Sequence, residues 1–157
     1  MKTKAEPTPP RSLWGEPVIL CVDDEPEILN ALRRCFRNEP YEVITAGSTA
    51  EALGWFTELP GVDLVLTDER MPTMKGTDLL QEVRQRSPRT IRVLLTGHPS
   101  EALIQKGLEA GAGVFLYKPW DDQVLRETVR RLLLRARRPP LESADPPSTF
   151  DVGGESG

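Results

Sequence analysis

Residues 18–29 read VILCVDDEPEIL, and their order decides the fold. Val18–Val22 is an unbroken apolar run, as expected of a strand covered on both faces. Asp23, Asp24 and Glu25 end it with charge, and Pro26 suits a first helical turn, where its missing N–H costs nothing. Ile28, Leu29, Leu32 and Phe36 follow at helical spacing and predict a helix over Pro26–Arg37. A buried strand feeding an amphipathic helix opens a βα unit.

The pattern then repeats along the chain. Tyr41–Ala46 reads as a second strand, and Ser48-Thr49-Ala50-Glu51 as a capping box opening a helix with Leu53, Trp55 and Phe56. Strands are expected at Leu64–Thr67, Ile91–Leu95 and Val114–Tyr117. Helices are expected at Asp78–Gln85, near Ser100–Ala110 and at Gln123–Arg137. In the last helix Val124, Leu125, Thr128, Val129, Leu132 and Ala136 are assigned to one side. Seven prolines (26, 40, 60, 72, 88, 99 and 119) fall between apolar segments, where a residue with no N–H belongs. Five alternating pairs predict an α/β fold, a flavodoxin-like doubly wound five-stranded parallel sheet of order 2-1-3-4-5 with helices on both faces.

The other 8 of 15 prolines lie in Met1–Pro17 and Pro139–Gly157, which lack apolar periodicity. The expected organisation is a flexible N-terminal segment over 1–17, one domain over 18–138 and a Pro/Gly/Ser-rich flexible tail over 139–157. No apolar run is long enough to span a bilayer and the N-terminus is polar, so a cytoplasmic protein without membrane contact is expected. Cys21 and Cys35 then read as buried free thiols, and with one histidine they cannot build a zinc site. Residues 18–138 carry 17 basic and 18 acidic side chains, which is not the field of a nucleic-acid binder. The arginines at 130, 131, 135, 137 and 138 read as cations at a helix C-terminus.

In such a sheet, ligands bind beyond the carboxyl ends of the strands, at the switch point between strands one and three. The residues there form a coherent set: Asp23-Asp24 after strand one, Asp68 after strand three, Thr96-Gly97 after strand four and Lys118-Pro119 after strand five. Singly, each has an ordinary reading as a cap, turn or surface residue. Jointly they describe chemistry. Clustered carboxylates repel unless a cation joins them, and hard oxygen ligands suit Mg²⁺. Lysine and threonine can meet phosphoryl oxygens, Gly97 leaves its N–H unobstructed, and a carboxylate can be the nucleophile that forms an acyl phosphate.

The segments VILCVDDEPEIL, LVLTDERMPTMKG, VLLTG and GVFLYKPW resemble the signature segments of the response-regulator receiver family, over about Val18–Arg137. The resemblance implies that Asp68 accepts a phosphoryl group from a phosphohistidine of a sensor histidine kinase or phosphotransfer protein. It implies one Mg²⁺ held directly by Asp24 and Asp68, through water by Asp23, and by the backbone carbonyl of Arg70. Thr96 and Lys118 would contact the phosphoryl group, and the Lys118–Pro119 peptide would be cis. Phe115 takes the place of the aromatic switch residue that works with Thr96, or else is simply core. Arg70 and His98 stand where side chains tune phosphoryl lifetime in the family, or are solvated loop residues. KPW is similar to receivers attached to cyclic-dinucleotide phosphodiesterases or hybrid kinases.

The resulting expectation is a stand-alone phosphoacceptor of a two-component phosphorelay, not an enzyme beyond its own phosphorylation and dephosphorylation. With no output segment after the last helix, it would signal in trans to a downstream effector, with a phosphorylation-dependent dimer allowed. Two other classes share part of this pattern. A haloacid-dehalogenase-type phosphohydrolase also uses an aspartyl nucleophile, Mg²⁺ and lysine, but places its nucleophile after the first strand with a second Asp two residues on, where this chain has Glu25. A non-phosphorylated interaction module would not need the complete acidic set.

Overall fold

The computed structural model describes residues 15–59 and 61–137. Most of the expected flanking segments, 1–17 and 139–157, therefore lie outside the described residues, as does Arg138. The elements run β1 (Val18–Val22), α1 (Pro26–Cys35), β2 (Glu42–Ala46), α2 (Thr49–Glu58), β3 (Leu64–Thr67), α3 (Gly76–Arg86), β4 (Ile91–Thr96), α4 (Glu101–Glu109), β5 (Val114–Tyr117) and α5 (Asp122–Arg137). All strands pair in parallel in the order β2-β1-β3-β4-β5. This is the flavodoxin-like, doubly wound fold expected from the alternation. No described helix is long and apolar enough to cross a membrane.

Alternation along β1 explains its unbroken apolar run. Ile19 and Cys21 enter a core with Leu32, Cys35 and Phe36 of α1 and Leu125, Val129 and Leu133 of α5. Val18, Leu20 and Val22 enter the opposite core with Ala52 of α2 and Leu79, Leu80 and Val83 of α3. Every β1 residue is buried, so a polar residue on either face would lose about 1.5–3 kcal/mol of burial per side chain. Cys21 and Cys35 are free and buried, and burial pushes their thiols up to about 12 and about 11, out of reach of thiolate chemistry at neutral pH.

Three local expectations need correction. The buried stripe of α5 is Leu125, Val129 and Leu133, whereas Val124 is 55% exposed and Ala136 is exposed. In the run Leu132-Leu133-Leu134 hydrophobicity cannot set the helical phase, and the i, i+4, i+8 row that meets β1, β3 and β4 sets it instead. At α2 only half the capping box forms: Ser48 Oγ accepts the Glu51 N–H at 3.1 Å, but Glu51 Oε1 takes the Gly47 N–H at 2.8 Å instead of that of the cap residue. Finally, α3 begins at Gly76, two residues earlier than its apolar pattern suggested.

Register delivers the functional edge. Val22 pairs with Thr67, so the next residues, Asp23 and Asp68, emerge side by side, with the Asp68 N–H donating to the Val22 carbonyl at 3.1 Å. Thr67 pairs with Leu94, and Thr96 with Tyr117. The Lys118 N–H donates to the Thr96 carbonyl at 2.9 Å, extending the β4–β5 ladder to the same edge.

Candidate functional site at the carboxyl edge of the sheet

The structure brings Asp23, Asp24, Asp68, Thr96 and Lys118 together. Carboxylate oxygens of the three aspartates lie within 4.8 Å of one another. Asp23 is 2% exposed and both of its oxygens are engaged: Oδ1 accepts the Glu25 N–H at 2.9 Å and Oδ2 accepts from Lys118 Nζ at 2.8 Å. The same ammonium stands 3.5 Å from Asp68 Oδ1. Asp24 is exposed, and among the described residues its carboxylate has no hydrogen bond or ion pair.

Electrostatics follow from this crowding. Burial raises the Asp68 carboxyl above the usual carboxylate range, and Asp23 pushes it the same way. Lys118 and the Glu69 backbone N–H oppose them without cancelling the rise. For Lys118, burial acts to lower the pKa, but hydrogen bonding and attraction from Asp23, then Asp68, outweigh it and hold the ammonium above its ordinary value. One lysine thus pairs with two of the three clustered carboxylates and leaves excess negative charge. That donor set fits a divalent, oxygen-preferring cation such as Mg²⁺.

Thr96 is 1% exposed, and its Oγ accepts the His98 N–H at 3.1 Å. Its hydroxyl hydrogen therefore remains able to donate toward the edge. Gly97 is not forced by sterics, since an added Cβ would meet Lys118 Cβ at an ordinary 3.7 Å. The Lys118–Pro119 peptide is cis. Arg70, Lys75, His98 and Lys106 line a cavity of about 580 Å³ beside Asp24 and Thr96, with Met71 and Leu103 as apolar wall. Phe115 is half-buried, packed on the core between the sheet and α2–α4.

Three contributors were not singled out from sequence. Gly76 passes so close to the Asp68 carbonyl that a Cβ there would overlap its oxygen. Gly107 in α4 leaves a notch for the Phe115 ring, whose Cε2 would lie 2.6 Å from an added Cβ. Glu69, 9% exposed, accepts from Thr77 across the β3–α3 loop. No signal in the sequence pointed to it, because the apolar pattern starts the helix at Asp78. Only the observed start at Gly76 makes Lys75, with no acceptor in its side chain, the N-cap and obliges another residue to serve the first turn of α3.

Fold and site together define a class: a flavodoxin-like α/β protein carrying a carboxylate cluster and a lysine at its switch point. Comparison with known proteins makes the class specific. The response regulator receiver domain family matches residues 19–130. Over 114 residues the chain is 39% identical to the hydrogenase transcriptional regulatory protein HoxA of Cupriavidus necator, covering 72% of this chain and 23% of that protein. Over 118 residues it is 36% identical to the transcriptional regulatory protein CpxR of Escherichia coli, covering 75% and 50%. The signal receiver domain of an HD domain-containing protein from Pseudomonas fluorescens Pf-5 superposes with a TM-score of 0.75 at 36% identity, covering 79% of this chain and 99% of that one. The chain belongs to the response regulator receiver family, and membership is consistent with phosphorelay signalling in a two-component system. It spans between 23% and 50% of the length of these two curated relatives.

Proposed function

We propose that this chain is a phosphoacceptor that takes a phosphoryl group on Asp68 from a phosphohistidine of a sensor kinase or phosphotransfer protein and passes the signal to an effector. What carries the reading is the Asp68 carboxylate, 8% exposed, joined to a second carboxylate through the Lys118 ammonium at the switch-point edge. Asp24 and Asp68, with the backbone carbonyl of Arg70, would hold Mg²⁺, and Asp23, already engaged on both oxygens, would support the ion less directly. When bound, the ion would neutralise charge on the phosphoryl oxygens. An Asp68 oxygen attacks phosphorus in line, the P–N bond breaks, and its electron pair leaves with the imidazole, whose other nitrogen carries the proton. Lys118 then shifts from the carboxylates toward the phosphoryl group and Thr96 donates its hydroxyl to it. The effector acts in trans, and a phosphorylation-dependent dimer is one form of that output.

Acetyl phosphate with Mg²⁺ tests this without a known kinase. Intact mass should rise by one phosphoryl group, and an unchanged mass under conditions that label a known receiver would refute the reading.

The division of ligand roles has its own test. Asp23 is occupied on both oxygens, whereas Asp24 is free to face an ion. Asp23→Ala should weaken Mg²⁺ binding by about tenfold, in the range of an outer-shell partner, and Asp24→Ala by more. Intrinsic tryptophan fluorescence is the readout, Trp120 lying two residues beyond Lys118 and tied to Asp122 by its indole N–H at 2.8 Å. Equal shifts in the two variants would contradict the assignment.

Switching through Thr96 and Phe115 would require the ring to leave its seat on Gly107. Adding a Cβ there crowds the ring edge, which can rotate away, while the helix itself gains about 1 kcal/mol from replacing glycine. Gly107→Ala should therefore favour the outward ring before phosphorylation. Its hydrogen exchange over about residues 100–123 should approach that of the beryllofluoride-treated wild type. Exchange identical to the untreated wild type would leave Phe115 as core packing alone.

A further inference from the structure

Helix α3 starts with a difficulty. The first N–H groups of a helix have no partner inside it, and the N-cap here, Lys75, makes no side-chain cap bond because it carries no acceptor. Glu69 resolves this from six residues earlier. Its carbonyl oxygen accepts the Gly76 N–H at 3.0 Å, and its Oε1 accepts the Thr77 N–H at 2.8 Å. Its Oε2 accepts from Thr77 Oγ1 at 3.2 Å. Both side-chain bonds are buried, and the carboxylate sits at the helix end where the macrodipole favours a negative charge.

This clasp closes on the candidate acceptor itself. The Glu69 N–H faces the Asp68 carboxylate. The Asp68 carbonyl accepts the Thr67 hydroxyl at 3.0 Å on one side and has Gly76 packed against it on another. Loop residues 70–75, between the two ends of the clasp, include Arg70, whose carbonyl is assigned to the metal. A nucleophile and its ion must be placed within a fraction of an ångström, and a displacement of about 1 Å can cost roughly a hundredfold in rate.

We propose that Glu69 is a positioning residue for phosphoryl transfer, clasping Thr77 so that the β3–α3 loop holds Asp68 and the Arg70 carbonyl at metal-binding geometry. The inference rests on the phosphoacceptor reading for its consequence, but its first consequence is metal affinity, which is measured on unphosphorylated protein. The carboxylate does not touch the reacting atoms. It acts through the backbone it ties down.

The experiment compares Glu69→Ala, Glu69→Gln and Thr77→Val with wild type in the full chain. Mg²⁺ half-saturation is read from intrinsic tryptophan fluorescence, labelling rate from acetyl phosphate and intact mass, and thermal stability in Mg²⁺-free buffer. Glu69→Ala should raise the Mg²⁺ half-saturation about tenfold, as loss of a supporting partner does at metal sites, and should slow labelling at fixed Mg²⁺. Glu69→Gln keeps an acceptor for the Thr77 N–H and should recover most of both losses. Thr77→Val removes only the hydroxyl bond and should give a smaller shift in the same direction, which decides the matter if Glu69→Ala does not fold. A lower melting temperature with Mg²⁺ half-saturation and labelling unchanged would overturn the proposal and leave Glu69 as a stability element. Wild type that binds Mg²⁺ but is never labelled would sink the phosphoacceptor reading alone, because the shift in metal affinity would still test the clasp.

Discussion

Asp68→Asn should abolish labelling by acetyl phosphate, leaving the mass of the protein unchanged where wild type gains one phosphoryl group. The amide has nearly the shape of the carboxylate but no anionic oxygen to form an acyl phosphate. Geometry around it should survive, because Lys118 keeps its shorter contact, 2.8 Å to Asp23. A second signature separates this from unfolding. Burial and Asp23 raise the Asp68 carboxyl in the folded state above its unfolded value. A group raised in this way contributes stability that is fully present below the unfolded pKa and lost as pH rises through the folded one. At neutral pH the ionised carboxylate therefore opposes folding, and Asp68→Asn should melt higher than wild type in Mg²⁺-free buffer. That advantage should shrink as pH falls toward the ordinary carboxyl value of about 4. Undiminished labelling of the variant would remove Asp68 from its assigned role. A lower melting temperature at neutral pH would show that its charge is better compensated than the surrounding groups suggest.

The difference between Asp68 and Glu69 shows what a sequence can and cannot disclose about such a site. Asp68 was legible because two independent periods converge on it: the apolar run of β3 stops there, and strand ends at a switch point are where ligands sit. Asp23 and Lys118 were legible for the same reason, each following its own strand, and Thr96 because it closes β4. Glu69 had no such frame. Its partner Thr77 lies across a loop whose path apolar spacing does not describe, so nothing in the sequence pairs the two. Gly107 is similar, since the Phe115 ring that fills its notch belongs to another element. The phase of α5 failed on a neighbouring ground. With leucine at 132, 133 and 134, three helical faces are equally apolar, and only contact with the sheet chooses Leu133.

Gly76→Ala should be the most disruptive small substitution near the site. Position 76 is the first residue of α3, where alanine has the better intrinsic propensity by about 0.8–1 kcal/mol. Local propensity alone would make the variant more stable. Packing reverses the sign. The added Cβ would overlap the Asp68 carbonyl oxygen and come within 2.8 Å of its carbon and 3.1 Å of Glu69 Cα. These are backbone atoms at the end of a buried strand, so no side-chain rotation relieves them, in contrast to the ring edge met at Gly107. Overpacking of this kind costs about 1–3 kcal/mol, and the backbone neighbours place this case at the upper end. After the propensity gain, a net loss of about 2 kcal/mol remains, which should lower the melting temperature by about 5–10 °C. Function should suffer beyond stability, because relief requires moving either the Asp68 carbonyl or the start of α3, and the Glu69 clasp ties the two together. At a temperature where the variant is still fully folded, labelling by acetyl phosphate should be at least about tenfold slower than in wild type. A melting temperature equal to or above that of wild type would mean that the β3–α3 loop yields easily, and a yielding loop could not hold Asp68 in the way its contacts imply.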